Sequence, residues 1–415
     1  MASRLQQVSS HLAPSDNVAN KVGVKSPEDV VIVSALRSAI TRARKGGFKD
    51  TLPEEILSAV FKGVIDQSKI DPALVNDIAV GNVLPQGGGA TNARMAALHA
   101  GFPETTSINT VNRQCSSGLQ AVVQIATAIQ AGIIEIGIGA GVESMTHNYG
   151  PQSLAPSSDK IADSCPAAAD CLIPMGITSE NVAAEFGVSR AKQDEFAAAS
   201  HAKAALAQKN GWFKDEIIPI RATVTDKEGK ESTVVVDRDD GVRPGTTAEK
   251  LNKLKPAFDE QGTTTAGNAS QVSDGAAAVL LMKRKTAEKL GLPIIGKYIT
   301  SAVVGVPPRI MGVGPAYAVP VAVERAGLKL SDVDIYEINE AFASQAVFSV
   351  EKLGIPFEKV NPKGGAIAFG HPLGATGARQ IATLLPELKR AGKKIGVTSM
   401  CIGSGMGMAA VFESE

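Results

Sequence analysis

Residues Val111–Gly132 read VNRQCSSGLQAVVQIATAIQAG. From Leu119 onward, apolar residues at 119, 122, 123, 125, 126 and 129 follow a helical period, which predicts a mostly buried helix beginning near Ser116. Just before it stands Cys115, one of 4 cysteines in 415 residues. The free amides and the dipole at a helix N-terminus favour an anion, so the expectation is a thiol that loses its proton easily and becomes a nucleophile. A small residue packed into a core is the other reading of an isolated cysteine.

Composition narrows the partners. The chain is 44% hydrophobic and 20% charged, which is ordinary globular usage. Its 42 basic residues balance 42 acidic ones, so no global field draws it to nucleic acid or to an anionic membrane. That leaves small molecules, with room for a local basic patch on a phosphorylated ligand. The longest apolar runs, VVIVSAL and AAAVLLM, fall short of a membrane span, and the cysteines have no zinc or scaffold spacing. Glycines sit inside apolar runs such as IIEIGIGAGVESM, which implies backbone packed closely around something.

Residues 1–27 are polar and precede the first buried strand, DVVIVSAL, so they read as an appendage. Arg4, Leu5, Val8, His11 and Leu12 share one face of a short helix that Pro14 would stop. The stretch RLQQVSSHL resembles the N-terminal peroxisomal targeting signal. The expectation is therefore a peroxisomal protein whose import receptor reads that face. A mitochondrial presequence should be richer in Arg and poorer in acids than a tail with one Arg and an early Asp16. The C-terminal FESE lacks the other peroxisomal address.

From residue 28 strands and helices alternate, predicting an α/β fold with buried sheets. DVVIVSAL, EEILSAVFKGVIDQS, DIAVGNVL, the helix after Cys115 and IIEIGIGAG form one series. GKYITSAVVGV, AYAVPVAVERAG, DVDIYEI, AFASQAVFSVEKLG, GATGARQIATLLPELKRAG, KIGVTSM and GMAAVFES form an echo, which hints at a duplication. The resulting division is a tail at 1–27, a first half at 28–146 and 273–293, a loop-rich insertion at 147–272, and a second half at 294–415. An insertion of that kind covers a site. It is read as loops, charged turns and helices around ENVAAEF and AKQDEFAAASHAKAALAQ.

Three more stretches place polar or thiol groups where strands end and helices begin. EINEAFA sets Asn339 after a strand, GGAIAFGHPLGATGAR sets His371 before a helix, and TSMCIGSGMG sets Cys401 ahead of glycines. Each has a structural alternative as a cap, a core histidine or a buried thiol. Together they mark the edge of an open α/β fold that carries active sites.

NRQCSSGLQA, GVESMT, TAGNASQVSDGAAA, GVGPAYA, EINEAFA, GGAIAFGHPLGATGAR and CIGSGMG are similar, in order and spacing, to the signature segments of the thiolases. The resemblance covers residues 28–415, and the tail points to a peroxisomal member acting on 3-ketoacyl-CoA. It implies a five-layered αβαβα fold of two five-stranded halves, each lending one helix to a central layer, with an inserted loop domain and homodimeric assembly. It also implies thiolytic cleavage through an acyl-cysteine, with coenzyme A as co-substrate and no permanently bound cofactor or metal. By the same resemblance Cys115 is the nucleophile, and His371 is its base and an oxyanion donor together with Asn339 through a water. Cys401 is the acid and base, and the amides of Cys115 and Gly403 form a second oxyanion hole. Ser270 and Arg243 match CoA-contacting positions, and Met175 lines the channel.

Other functions fit less well. A ketoacyl synthase would pair its cysteine with two histidines, or a His and an Asn, and lack Cys401. A lipid carrier would need neither two thiols nor a histidine. An acetoacetyl-CoA thiolase would keep the same residues with a different acyl channel. Cys165 and Cys171 lie in the insertion, where either, Cys171 first, could form a disulfide with a reactive Cys115.

Overall fold

Eight consecutive buried residues, VVIVSALR, form strand β1 (Val30–Arg37). A strand covered on both faces shows no polar alternation, and β1 has helices on each side. The computed structural model describes residues 20–150, 153 and 156–415. The targeting positions Arg4, Leu5, Val8, His11 and Leu12 lie outside those residues.

The first half continues with the short β2 (Thr41–Arg42) and helix α1 (Pro53–Ser68), which starts on a proline with Glu54 and Glu55 in its first turn. Next come β3 (Asp77–Gly81), α2 (Ala90–Ala100), β4 (Ser107–Val111), α3 (Ser117–Gln130) and β5 (Ile136–Ser144). The insertion carries helices α4 (Met175–Phe186) and α5 (Arg190–Lys209) and the hairpin β6 (Ile220–Thr225) with β7 (Glu231–Val236). Strand β8 (Ser273–Lys283) then returns to the first sheet between β1 and β5. The second half runs β9 (Gly296–Gly305), α6 (Gly314–Arg325), β10 (Ile335–Ile338), α7 (Ala343–Leu353), α8 (Thr376–Ala391), β11 (Ile395–Ile402) and β12 (Met406–Ser414).

Strand order makes the duplication visible where the residues did not. The ten-stranded sheet divides at the short β1–β9 pairing into a first half-sheet, β1-β8-β5-β3-β4 with β2 beside β8, and a second, β9-β12-β11-β10. In each, the first two pairings are antiparallel and the next is parallel. The fifth place of the second sheet is held by a single parallel bridge, Tyr336 to Val360, rather than a full strand. The sheets touch where Val31 and Ile32 of β1 meet Lys297 and Gly296 of β9.

Helices α3 and α8 occupy equivalent places in the two halves and pack on each other between the sheets. Leu119, Val122, Ile125 and Ile129 share one buried cluster with Ile381, Leu384, Leu385 and Leu388. Each such side chain contributes ~1.5–3 kcal/mol by leaving water. The helices approach closely because Gly377 has no side chain: a Cβ there would lie 2.1 Å from the Leu119 nitrogen. That contact brings the N-terminal ends of both helices, with Cys115 ahead of one and His371 ahead of the other, to one region.

Buried charges fasten the insertion to both halves. The guanidinium of Arg37 donates to Glu216 at 2.8 Å and to Asp239 at 2.7 and 2.9 Å, and Lys363 from the second half pairs with Glu216. Residues 20–27, assigned to the tail from sequence, are tied to the body as well. The Asn20 side chain accepts from the Val30 amide at 2.7 Å, and Lys297 Nζ donates to the carbonyls of Lys21 and Val24. The hairpin β6–β7 was read as charged turns because much of it is exposed and lacks a clean alternation.

Candidate active site

Between β4 and α3 the chain makes a tight turn in which Gln114 takes φ +48°. Ser117 stabilises it, accepting from the Arg113 amide at 2.9 Å and donating to the Gln114 carbonyl at 2.6 Å. The turn buries Cys115 just before the helix. Burial pushes its thiol up to about 11, against the opposing pull of the Gly403 and Cys115 amides, and Glu143 adds a further upward push. This reverses the sequence expectation of an easily ionised thiol. The helix N-terminus is present, but desolvation outweighs it.

Glu143, in GVESMT, is a buried carboxylate that accepts from the amides of Val83, Leu84 and Gly374. Burial lifts it to about 7. It joins the loop after β3 to the loop that carries His371.

His371 is buried and its ring is fixed at both nitrogens. The Thr376 hydroxyl donates to the Pro372 carbonyl at 3.0 Å, so it accepts from His371 Nδ1 at 2.6 Å. That assigns the proton to Nδ1 and leaves Nε2 as an acceptor, 3.2 Å from the Asn339 side-chain nitrogen. Burial, with the Arg379 charge behind it, lowers His371 to about 3, so the imidazole is neutral at physiological pH. Asn339 Oδ1 is buried without a protein partner. A buried amide oxygen of that kind is a ready seat for a water or a substrate donor.

Cys401 ends β11 and is fully buried. Burial raises its thiol well above the ordinary value, and Cys115 adds to the rise; the Gly403 amide, two residues on, bonds to Cys115. The Cys401 thiol donates to Gln345 Oε1 at 3.0 Å, and Gln345 Nε2 donates to the Asn339 carbonyl at 3.2 Å. Cys115, Asn339, His371 and Cys401 are thus brought together. Gln345 and Thr376 join them and were not found from sequence. Their only signal was polar character, Gln345 just after EINEAFA and Thr376 within GATGAR.

Around the sulfurs, Ala269, Met311, Ala341 and Phe342 pack on Cys401 as an apolar wall. Ser270 follows Ala269 and is held by its amide, which donates to the Ala341 carbonyl at 2.9 Å. Met175 is 38% exposed at the start of α4, and its sulfur lies 3.7 Å from where a Gly403 Cβ would stand. A Cβ at Gly403 meets only ordinary contacts, so protein packing does not demand that glycine; Gly405 (φ +92°) is demanded, since its Cβ would lie 2.4 Å from the Val306 carbonyl. Arg243 is exposed and does not join the four groups; its amide donates to His201 Nδ1 at 3.2 Å. Gln271 links its loop to the site, donating to the carbonyls of Gly241 and Ala368 and accepting from the His371 amide.

Cys165 and Cys171 are exposed free thiols. Cys171 sits 3.9 Å from the Ser404 carbonyl, next to Gly403. Among the described residues no group of three His, Cys, Asp or Glu converges as a metal site, and no helix is long and apolar enough to cross a membrane.

Comparison with known proteins gives a consistent assignment. The thiolase N-terminal domain model matches residues 30–285, and the thiolase C-terminal domain model matches residues 292–414. The peroxisomal 3-ketoacyl-CoA thiolase of Yarrowia lipolytica is 60% identical over 391 residues, covering 94% of each chain. The dimeric peroxisomal thiolase of Saccharomyces cerevisiae superposes with a TM-score of 0.88 at 52% identity, over 95% of this chain and 99% of that one. A second structure of a Saccharomyces cerevisiae peroxisomal 3-ketoacyl-CoA thiolase is described as five layers built from two core domains of identical topology. It gives a TM-score of 0.77 at 47% identity, over 95% of this chain and 100% of that one.

Proposed function

The chain belongs to the thiolase family, and on that footing we propose that it cleaves 3-ketoacyl-CoA with CoA. The products are acetyl-CoA and a shortened acyl-CoA, and the reaction closes a round of fatty-acid β-oxidation in the peroxisome. The enzyme is an acyltransferase with the five-layered thiolase fold. It works as a homodimer, as its yeast relative is dimeric.

The observation that carries the reading is the meeting of two buried thiols with the Asn339–His371 pair at 3.2 Å. Breaking the bond between C2 and C3 requires a nucleophile on the ketone, a place for enolate charge and an acid for the departing carbon. Cys115 supplies the nucleophile. Its proton passes to His371 Nε2, and the two charges form as a pair, with the amides of Gly403 and Cys115 offsetting the burial of the sulfur. The thiolate adds to the C3 carbonyl. As the adduct collapses, the C2–C3 electrons move into the thioester enolate, whose oxygen is held by the new Nε2 proton and by Asn339 through a water.

Cys401 then gives its proton to C2, releasing acetyl-CoA and leaving the acyl chain on Cys115. In the second half-reaction the Cys401 thiolate takes the proton of incoming CoA, whose sulfur attacks the acyl-cysteine; the bond to Cys115 breaks, and the departing Cys115 thiolate recovers its proton from His371 Nε2. A thiol is closer than a carboxylic acid to the CoA thiol it must deprotonate, and burial shifts Cys401 further toward holding a proton. The acyl carbonyl is polarised by the Gly403 and Cys115 amides. Met175 and Ser270 line the approach for the pantetheine arm, and Arg243 reaches toward the nucleotide end of CoA. Delivery to the peroxisome rests on the face of Arg4, Leu5, Val8, His11 and Leu12.

Thiolysis rates for a series of 3-ketoacyl-CoA substrates of increasing chain length test the reading. Turnover of medium and long chains is the expected result. Activity confined to acetoacetyl-CoA would replace it with an acetoacetyl-CoA thiolase.

A further inference from the structure

We infer that Gln345 is a positioning residue that holds the Cys401 thiol and Asn339 as one unit, so that the proton-transfer thiol and the oxyanion group keep a fixed spacing. Gln345 lies in the first turn of α7 and is fully buried. Its carboxamide can point only one way. Nε2 donates to the Asn339 carbonyl at 3.2 Å, and a reversed amide would set two carbonyl oxygens against each other. Oε1 therefore faces Cys401 Sγ at 3.0 Å and can only accept.

Two supports hold the helix that presents it. The Ser349 hydroxyl donates to the Gln345 carbonyl at 2.7 Å. Gly312 leaves room for the side chain, since a Cβ there would lie 2.7 Å from Gln345 Cβ. The α7 backbone, the Asn339 loop and the end of β11 thus meet through one side chain.

The consequence is specific to the proton steps and rests on the acid and base role proposed for Cys401. An acceptor on the S–H bond keeps Cys401 protonated and its sulfur fixed until an enolate arrives, when the S–H turns from Oε1 toward C2. The S–H bond then breaks, the proton goes to C2, and the electron pair stays on sulfur. Attack by Cys115 needs none of this. Gln345 should therefore matter for proton transfer and not for the first acylation from a ready-made thioester.

The test reads the two steps separately in the intact enzyme. Acylation is followed by mass spectrometry after mixing with an acyl thioester of an acidic nitrothiophenol, whose thiolate departs without the proton that Cys401 would have to give a departing CoA. Proton transfer is followed by uptake of deuterium into the acetyl-CoA methyl group in D2O, where the Cys401 thiolate removes a proton and returns deuterium. Gln345→Met keeps the length and loses both hydrogen bonds; Gln345→Leu is the second variant should the first melt without cooperativity. The expected result is acylation within about twofold of wild type and exchange reduced about tenfold or more, as for loss of a buried hydrogen bond. Unchanged exchange, or an equal fall in both steps, would overturn the inference. Cys401→Ser separates the two claims: if it keeps exchange, the acid and base role itself is wrong; if it loses exchange while Gln345→Met does not, only Gln345 is misassigned.

Discussion

The side-chain nitrogen of Asn339 lies 3.2 Å from Nε2 of His371, and the two residues enter from loops 32 positions apart in sequence. With Nδ1 committed to Thr376, Nε2 is the nitrogen able to take a proton, and Asn339 stands beside it. Charge that develops on a substrate oxygen there meets two groups already oriented. Asn339→Ala removes one of them and leaves the base in place. The expected outcome is a fall in kcat of roughly a hundredfold or more with little change in KM, as for loss of one oxyanion donor. A steady-state comparison checks it, and a change confined to KM would place Asn339 in ground-state binding instead.

In the proposed mechanism the two sulfurs divide the labour. Cys115→Ser should form no acyl-enzyme, because a hydroxyl in a site that already raises a thiol to about 11 stays protonated. Cys401→Ser should still show the acyl mass on Cys115 with a pre-formed donor, yet lose turnover. Two folded variants that both fail to acylate, or that both turn over near wild type, would dismiss the assignment.

Much of this site was legible because its residues stand where periodicity changes. Cys115 precedes a run with helical spacing, His371 precedes another, and Cys401 closes a strand. Gln345 was hidden: on α7 it reads as one polar residue in an amphipathic helix, and only the fold shows that its helix face looks onto β11. The ionisation of Cys115 was misread for a related reason. The helix terminus is local and visible in sequence, whereas burial arises only when segments far apart in the chain pack together. Strand β4 escaped notice because its residues are only partly covered.

Arg37 tests how firmly the insertion is held. Arg37→Met leaves Glu216 and Asp239 buried with one cation fewer, although Lys363 still pairs with Glu216. The expected loss is about 3–5 kcal/mol of stability, measured by denaturant melts, because a buried carboxylate is left uncompensated. A loss under about 1 kcal/mol would mean that water reaches the cluster.

The face proposed for targeting is separate in sequence from the residues assigned to catalysis. His11→Asp or Leu5→Arg puts a charge on the helical face predicted for the tail, and each variant should remain in the cytosol when expressed in cells. Purified protein should turn over as wild type does. Lost activity would tie the tail to the fold, and undiminished import would move the signal elsewhere.

Titration of Cys115 offers the sharpest check on the electrostatics. Its folded value, about 11, is raised above the ordinary thiol value of 9.0. The stabilisation from burying the neutral thiol is thus complete below pH 9 and is lost as pH climbs toward 11. Near neutral pH the resting enzyme holds roughly a hundredth of the thiolate an ordinary cysteine would. Iodoacetamide should therefore label exposed Cys165 and Cys171 first, and Cys115 labelling should quicken about tenfold per pH unit up to roughly pH 10. The same shift governs the disulfide read from sequence between Cys115 and Cys171. Mild peroxide must first oxidise a Cys115 thiolate to the sulfenic acid, which the Cys171 thiol then attacks with release of water. Cys171 lies 3.9 Å from the Ser404 carbonyl, and the scarce Cys115 thiolate makes the first step slow. A peptide map should show the Cys115–Cys171 cross-link gathering faster as pH rises and being absent in Cys171→Ala. Rapid cross-linking at pH 7 would show that Cys115 is ionised at rest, and the burial argument would fall with it.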